Sequence, residues 1–158
     1  MQQTAVQKQR CEKVRNLRIS RQLAEFADRD GSGVAFDSST GFELPNGAVR
    51  SPDGAWVARA RLAGLTPEPK NKFLPLCPDF VIELLSPAES LAVTREKMEE
   101  YIANGAQLGW LIDAEQARVY VYRPGEAPLI LDQPSEVSGH PVLPGFVLQL
   151  ANIWDPGL

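Results

Sequence analysis

Between residue 5 and about residue 28 the apolar positions Val6, Val14, Leu17, Leu23 and Phe26, with Ala24 and Ala27, recur at roughly helical intervals in a stretch free of Gly and Pro. One long helix is predicted there, ended by Asp30-Gly31-Ser32-Gly33. The pattern then changes to short apolar pieces, residues 34–37, 41–44, 48–50 and 55–58, separated by turn residues. Asn46-Gly47 favours a tight hairpin turn, so these pieces read as antiparallel strands leading into Trp56. Residues 59–78 hold four prolines and little periodicity, and read as a loop with room for a short helix.

Asp79 to Leu85 is a nearly continuous apolar run, the pattern of a strand covered on both faces, yet Glu83 sits inside it. Ser86-Pro87-Ala88-Glu89 has the composition of a capping box with proline at the first helical position, and Asn104-Gly105 that of a helix end. A helix over about 90–104 follows. Residues 108–113 and 118–123 read as two strands joined by a short turn, the second with Val119 and Val121 facing outward against Tyr120 and Tyr122. Residues 129–131 and 146–148 complete the strands. The order helix, antiparallel strands, loop, buried strand, helix, strands specifies an α/β (α+β) domain with a mixed sheet.

At 158 residues, with 44% hydrophobic and 23% charged positions, the chain matches one ordinary folded domain and excludes disordered, collagen-like and coiled-coil classes. No apolar run approaches the roughly 20 residues of a membrane span, and the first ten residues lack the apolar core of a secretory signal. A cytoplasmic location without membrane attachment is expected. Two cysteines and one histidine exclude zinc-type spacing and a disulfide framework. A Ser-His-Asp or Cys-His mechanism would have to use His140, in the loop-like Ser138-Gly139-His140-Pro141. Glycine-rich phosphate loops are missing too.

The net charge of −4 conceals a polarity, since residues 1–72 carry +4 and residues 73–158 carry −8. Lys8, Arg10, Lys13, Arg15, Arg18, Arg21 and Arg29 concentrate the positive charge on the first helix. Two readings stand open for them, a solvated helix face and a surface that meets phosphates.

Two carboxylates border apolar sequence, Asp53 in Ser51-Pro52-Asp53-Gly54 and Glu83 in the buried strand. A buried ionised acid must be protonated, paired or metal-bound. Asp53 is either a turn-stabilising residue or a ligand, and Glu83 either outward-facing or Arg-paired, or a ligand. On the functional reading the two share a divalent cation, because Mg²⁺ is held through one or two carboxylates with several waters retained. Lys97, at the border of the buried stripe Leu91, Thr94, Met98 and Ile102, would then neutralise transition-state charge or position water. Its alternative is a surface ion pair with Glu96 or Glu100. Asp79, at the start of the buried strand, and Tyr101, one turn beyond Lys97, are second-tier candidates.

Phe36-Asp37-Ser38-Ser39-Thr40-Gly41-Phe42, Leu44-Pro45-Asn46-Gly47, Ser51-Pro52-Asp53 and Pro78-Asp79-Phe80-Val81-Ile82-Glu83-Leu84-Leu85-Ser86-Pro87 resemble the Uma-two family of putative restriction endonucleases. Glu96-Lys97-Met98 with Tyr101, Gly109-Trp110-Leu111-Ile112-Asp113, Val121-Tyr122-Arg123-Pro124-Gly125 and Leu143-Pro144-Gly145-Phe146 follow the family's order, so the likeness covers about residues 14–154. That family is similar to the PD-D/E-x-K nuclease superfamily. The resemblance implies one restriction-endonuclease-like domain over residues 1–158, a mixed sheet flanked by helices, lacking part of the family's N-terminal extension. It also implies Mg²⁺, with Mn²⁺ as a substitute, held by Asp53 and Glu83. The superfamily's lysine comes two positions after the second acid, where this chain has Leu85; family members carry it on the following helix, which is Lys97 here.

The first expectation is therefore a Mg²⁺-dependent endonuclease acting on DNA phosphodiester bonds, with the basic first helix on the phosphate backbone. A second is a catalytically silent nucleic-acid-binding or protein-interaction module on the same scaffold. A third, a glycosidase-like pair of Asp53 and Glu83, finds no aromatic-rimmed cleft in the sequence. A homodimer or higher homo-oligomer is expected, because a two-fold axis lets a small nuclease reach both strands of a duplex. Trp110, Tyr120 and Tyr122 are candidate surface for that assembly.

Overall fold

Helix α1 (Ala5–Asp30) begins with a capping box: Gln7 N donates to the Thr4 hydroxyl at 3.2 Å, and Thr4 N donates to the Gln7 side chain at 2.9 Å. It ends at Gly31, whose φ of 76° is the left-handed conformation that glycine adopts without strain. The computed structural model describes residues 3–65 and 72–158, so residues 66–71 of the expected loop lie outside the described residues. The buried side of α1 is Cys11, Ile19, Leu23, Phe26 and Ala27. Val6 and Leu17, expected on the apolar stripe, are 55% and 69% exposed. Leu17 is two residues, about 200° of rotation, from Ile19 and cannot share its face.

Six strands form the main sheet in the order β1 (Gly33–Asp37), β4 (Gly54–Ala58), β5 (Phe80–Leu84), β6 (Leu108–Asp113), β7 (Arg118–Tyr122) and β8 (Leu129–Asp132). All neighbours are antiparallel except β5 and β6, which run parallel and are joined by the crossover helix α3 (Leu91–Ala103). A small hairpin of β2 (Phe42–Glu43) and β3 (Val49–Arg50) is inserted between β1 and β4, with Gly47 at φ 88° in its turn. The short helix α2 (Arg59–Ala63) follows β4. Beyond the sheet, β9 (Glu136–Ser138) pairs with β10 (Val147–Gln149) and leads to α4 (Ala151–Trp154). Nothing in the periodicity pointed to β9 or α4, both of which are under five residues long.

Both faces of the sheet are covered. On one, α1 and the C-terminal segment pack on Trp56, Phe80, Ile82, Leu84, Leu108, Trp110, Ile112, Val119 and Val121. On the other, α3 and the β2–β3 hairpin pack on Ala55, Val57, Val81, Leu111, Tyr120 and Tyr122. Val119 and Val121 therefore point inward, contrary to the alternation read from sequence, because residues 137–153 cover their face. Trp110, Tyr120 and Tyr122 are core residues too, exposed by 3% or less, and offer no surface for assembly. Among the described residues no helix is long and apolar enough to cross a membrane.

The C-terminal segment is tied to α1 by polar bonds. Arg15 Nε donates to the Ile153 carbonyl at 2.6 Å, Arg18 to the Asn152 carbonyl at 2.7 Å, and Gln22 exchanges two bonds with the Gln149 backbone. Thus Arg15 and Arg18, two of the cations expected on a phosphate-facing surface, cap carbonyls of α4 instead. Phe146 holds the apolar side of this contact, with its ring centroid 5.2 Å from Phe26 and 5.8 Å from Trp110, on which it stacks. Phe146→Ala should cost about 3–5 kcal/mol, as removal of a buried aromatic ring does when its surroundings cannot collapse. Urea unfolding checks this, and a loss below about 1 kcal/mol would show that the C-terminal segment is dispensable for the core.

Candidate active site

The register of β4 on β5 sets Gly54 against Ile82 and Ala55 against Val81. Continued by one residue it puts Asp53 opposite Glu83, on the α3 face that Ala55 and Val81 share. Such cross-strand neighbours have Cβ atoms about 5 Å apart. Asp53 Oδ2 accepts the Leu84 N–H at 2.8 Å, so the side chain continues the hydrogen-bonding ladder where the strand pair ends. Glu83 is 5% exposed, and its Oε1 accepts the Tyr101 hydroxyl at 2.8 Å. Both acids lie at the carboxyl end of the parallel pair β5 and β6, the edge at which open α/β sheets bind ligands.

Helix α3 brings the cation. Lys97 Nζ lies 3.9 Å from Glu83 Oε2 and 3.9 Å from Glu89 Oε1. These distances are ion-pair contacts longer than hydrogen bonds, so the ammonium is suspended between two carboxylates and locked to neither. Its expected alternative partners are engaged elsewhere or free of it: Glu100 binds Arg50 Nε at 2.6 Å, and Glu96 is exposed. The Arg50 guanidinium holds the Glu100 carboxyl below its ordinary pKa, with Asn46 Nδ2 donating to it at 3.2 Å. The structure thus brings Asp53, Glu83, Lys97 and Tyr101 together. Asp79 is elsewhere, at the opposite end of β5, where it accepts Ala58 N–H at 2.8 Å and pairs with Arg61 at 3.1 Å. It anchors α2 to the sheet.

Two acids missed in the sequence complete the surroundings. Glu89, read as part of a capping box, does not cap: α3 starts later, with the Ser90 hydroxyl accepting from Val93 N at 3.1 Å, and residues 86–89 form a turn that hands Glu89 to Lys97. Glu12 reaches the site from α1. Burial and then the nearby Asp53 and Glu89 charges push its carboxyl up. Spacings of seven, four and three residues link Glu12 to Ile19, Leu23 and Phe26, which marks an acid on the inward stripe. A cavity of about 220 Å³ opens between α1 and the end of β5, lined by Lys8, Glu12, Arg15, Leu85, Pro87 and Glu89 among others.

Burial pushes Glu83 up to about 8, Asp53 adds repulsion, and Lys97 and the Tyr101 hydroxyl work in the other direction. Burial also raises Asp53, against the Leu84 N–H, which favours its ionised form. Tyr101 is raised far above its ordinary value by burial and the Glu83 charge, so it stays a hydrogen-bond donor. Two facing carboxylates that cannot both ionise cheaply, with hard oxygen donors only, fit a divalent cation such as Mg²⁺. Among the described residues no group of three or more His, Cys, Asp or Glu side chains could hold a metal, and a pair of carboxylates would leave most of a bound ion's ligands to water.

The raised Glu83 pKa sets a pH dependence for the metal-free protein. Its stabilising contribution is complete below the ordinary 4.5 and is lost as pH rises through about 8. Glu83→Gln removes that titration while keeping an acceptor for Tyr101. In EDTA the variant should gain stability on the order of a few kcal/mol over wild type at pH 8 and converge with it near pH 4. Parallel urea-unfolding curves at the two pH values would contradict this.

No curated protein matches the chain. Among solved structures, a putative nuclease belonging to DUF820 from Anabaena variabilis ATCC 29413 superposes with a TM-score of 0.78 at 20% identity, over 98% of this chain and 82% of that one. That likeness shows the shared fold, a mixed sheet flanked by helices. The sequence model described as "Putative restriction endonuclease" matches residues 4–151, from the cap of α1 to the first residue of α4. On that match, which spans every element that builds the site, the chain belongs to the Uma2 family.

Proposed function

We propose that the protein is a Mg²⁺-dependent nuclease that hydrolyses DNA phosphodiester bonds, with Asp53 and Glu83 holding the cation and Lys97 acting on the reacting phosphate. The observation that supports this reading is the convergence of three groups from β4, β5 and α3: two facing carboxylates, and an ammonium 3.9 Å from one of them. When bound, the cation supplies Lewis-acid stabilisation of the phosphoryl oxygens and a more acidic bound water. The remaining roles belong to the chain. Tyr101 donates to Glu83 Oε1 and leaves Oε2 facing Lys97. The Leu84 N–H fixes Asp53. Lys97, bonded tightly to neither carboxylate, has donors free for the charge that accumulates as the phosphate becomes pentavalent.

The test is cleavage of supercoiled and branched DNA with Mg²⁺ or Mn²⁺. Asp53→Ala should remove activity, and Lys97→Met should lower the rate about a hundredfold or more while leaving folding nearly unchanged, since the aliphatic stem still packs and only the charge is lost. Turnover by wild type that persists in EDTA would overturn the metal role. Absence of turnover on every DNA form, with binding retained, would favour the catalytically silent module. Wild-type-like rates for Lys97→Met would leave that residue as an ion-pair partner of Glu83 and Glu89.

A further inference from the structure

Three cations near the start of α1 have structural partners: Lys8 lies 3.8 Å from Glu115, and Arg15 and Arg18 bind carbonyls of residues 152–154. Arg10, Lys13 and Arg21 do not. All three are exposed, and none makes an ion pair or side-chain hydrogen bond among the described residues. A helix turns about 100° per residue, so Val6, Arg10, Lys13, Leu17 and Arg21 fall within about 80° of arc. That arc is centred about 170° from Lys8, Glu12 and Arg15, which line the cleft. The stripe runs about 22 Å at 1.5 Å per residue, contains no acid between residues 6 and 21, and belongs to a helix capped at both ends.

Chemistry selects the partner. A membrane surface takes a broad apolar helix face, whereas this stripe offers only Val6 and Leu17, eleven residues apart. A second copy would have to bring acids such as Glu96 and Glu99 of α3, and exposed ion pairs of that kind contribute at most about 1 kcal/mol each. Spaced, unpaired cations on a rigid rod fit a polyanion whose charges repeat, and release its counterions on contact. The geometry points to a second nucleic-acid contact on the outer face of α1, made by Arg10, Lys13 and Arg21 to the phosphate backbone and independent of sequence. The choice of nucleic acid rests on the nuclease reading; the site itself is separate from the cleft.

The experiment is fluorescence anisotropy of a labelled 20-base-pair duplex in EDTA, across a salt series, where the acidic cleft lacks its cation and the stripe remains. Each phosphate contact contributes about 0.9 to the slope of log K against log salt, so Arg10→Gln/Lys13→Gln/Arg21→Gln should lower the slope by about 2.7 and weaken binding at 0.1 M salt by a hundredfold or more. Each single substitution should lower it by about 0.9. Circular dichroism melting should not change, since all three side chains are exposed. The proposal fails if wild type does not bind the duplex, or if the triple variant keeps the wild-type slope. It fails equally if light scattering shows a wild-type oligomer that the triple variant dissolves, or if wild type binds phosphatidylserine vesicles and not DNA. Stripe-dependent binding without cleavage in Mg²⁺ or Mn²⁺ would sink the nuclease reading and leave this contact standing.

Discussion

Two antiparallel strands that end in register put Asp53 against Glu83, and the chemistry around them is a response to that placement. Backbone geometry fixes their separation at a distance where two ionised carboxylates repel strongly in a medium poorer than water in dielectric. The sheet cannot relax the repulsion, because β4 and β5 are interior strands with neighbours on both sides. Relief comes from the proton that Glu83 keeps up to about pH 8 and from donors: the Leu84 N–H on Asp53, the Tyr101 hydroxyl on Glu83, and the Lys97 ammonium. None of these neutralises both acids. The site is left with an unmet demand for positive charge, which distinguishes it from the other buried acid, Asp113, whose carboxylate accepts Gln116 N–H and closes a turn.

The elements whose function is packing were legible in the sequence. The apolar run of β5, the turn residues around the β2–β3 hairpin and the Asn-Gly end of α3 all state local requirements that the fold meets in place. The errors came where burial is decided by a partner far along the chain. Val119 and Val121 alternate with tyrosines as a half-exposed strand would, and only the packing of residues 137–153 reverses the inference. Likewise Leu17 is apolar by composition and exposed by phase, while Cys11 and Ile19, less conspicuous in the sequence, turn inward.

The site divided along the same line. Asp53 and Glu83 were visible because each breaks an apolar context, and Lys97 because it borders the stripe that α3 presents to the sheet. Glu89 was hidden by a plausible local role: a serine followed at the third position by glutamate looks like a cap, and Ser90 took the cap instead. Glu12 was hidden among cations, its inward phase evident only once Ile19, Leu23 and Phe26 define the buried side of α1. Asp79 was a second-tier candidate because it precedes the buried strand, yet a strand has two ends and Asp79 occupies the one that Arg61 and α2 hold in place.

The bonds from Arg15, Arg18 and Gln22 to residues 149–154 join segments more than 120 residues apart, and they lie next to Glu12 on the same helix. During synthesis α1 is made before β4, β5 and α3, and these partners after them. The end of α1 that carries Glu12 therefore acquires its anchor only after both strands of the site and α3 already exist. The placing of Glu12 beside the acidic site in this way depends on residues 149–154, so a polypeptide in which they are not yet made carries the pair Asp53 and Glu83 with α1 unanchored at that end.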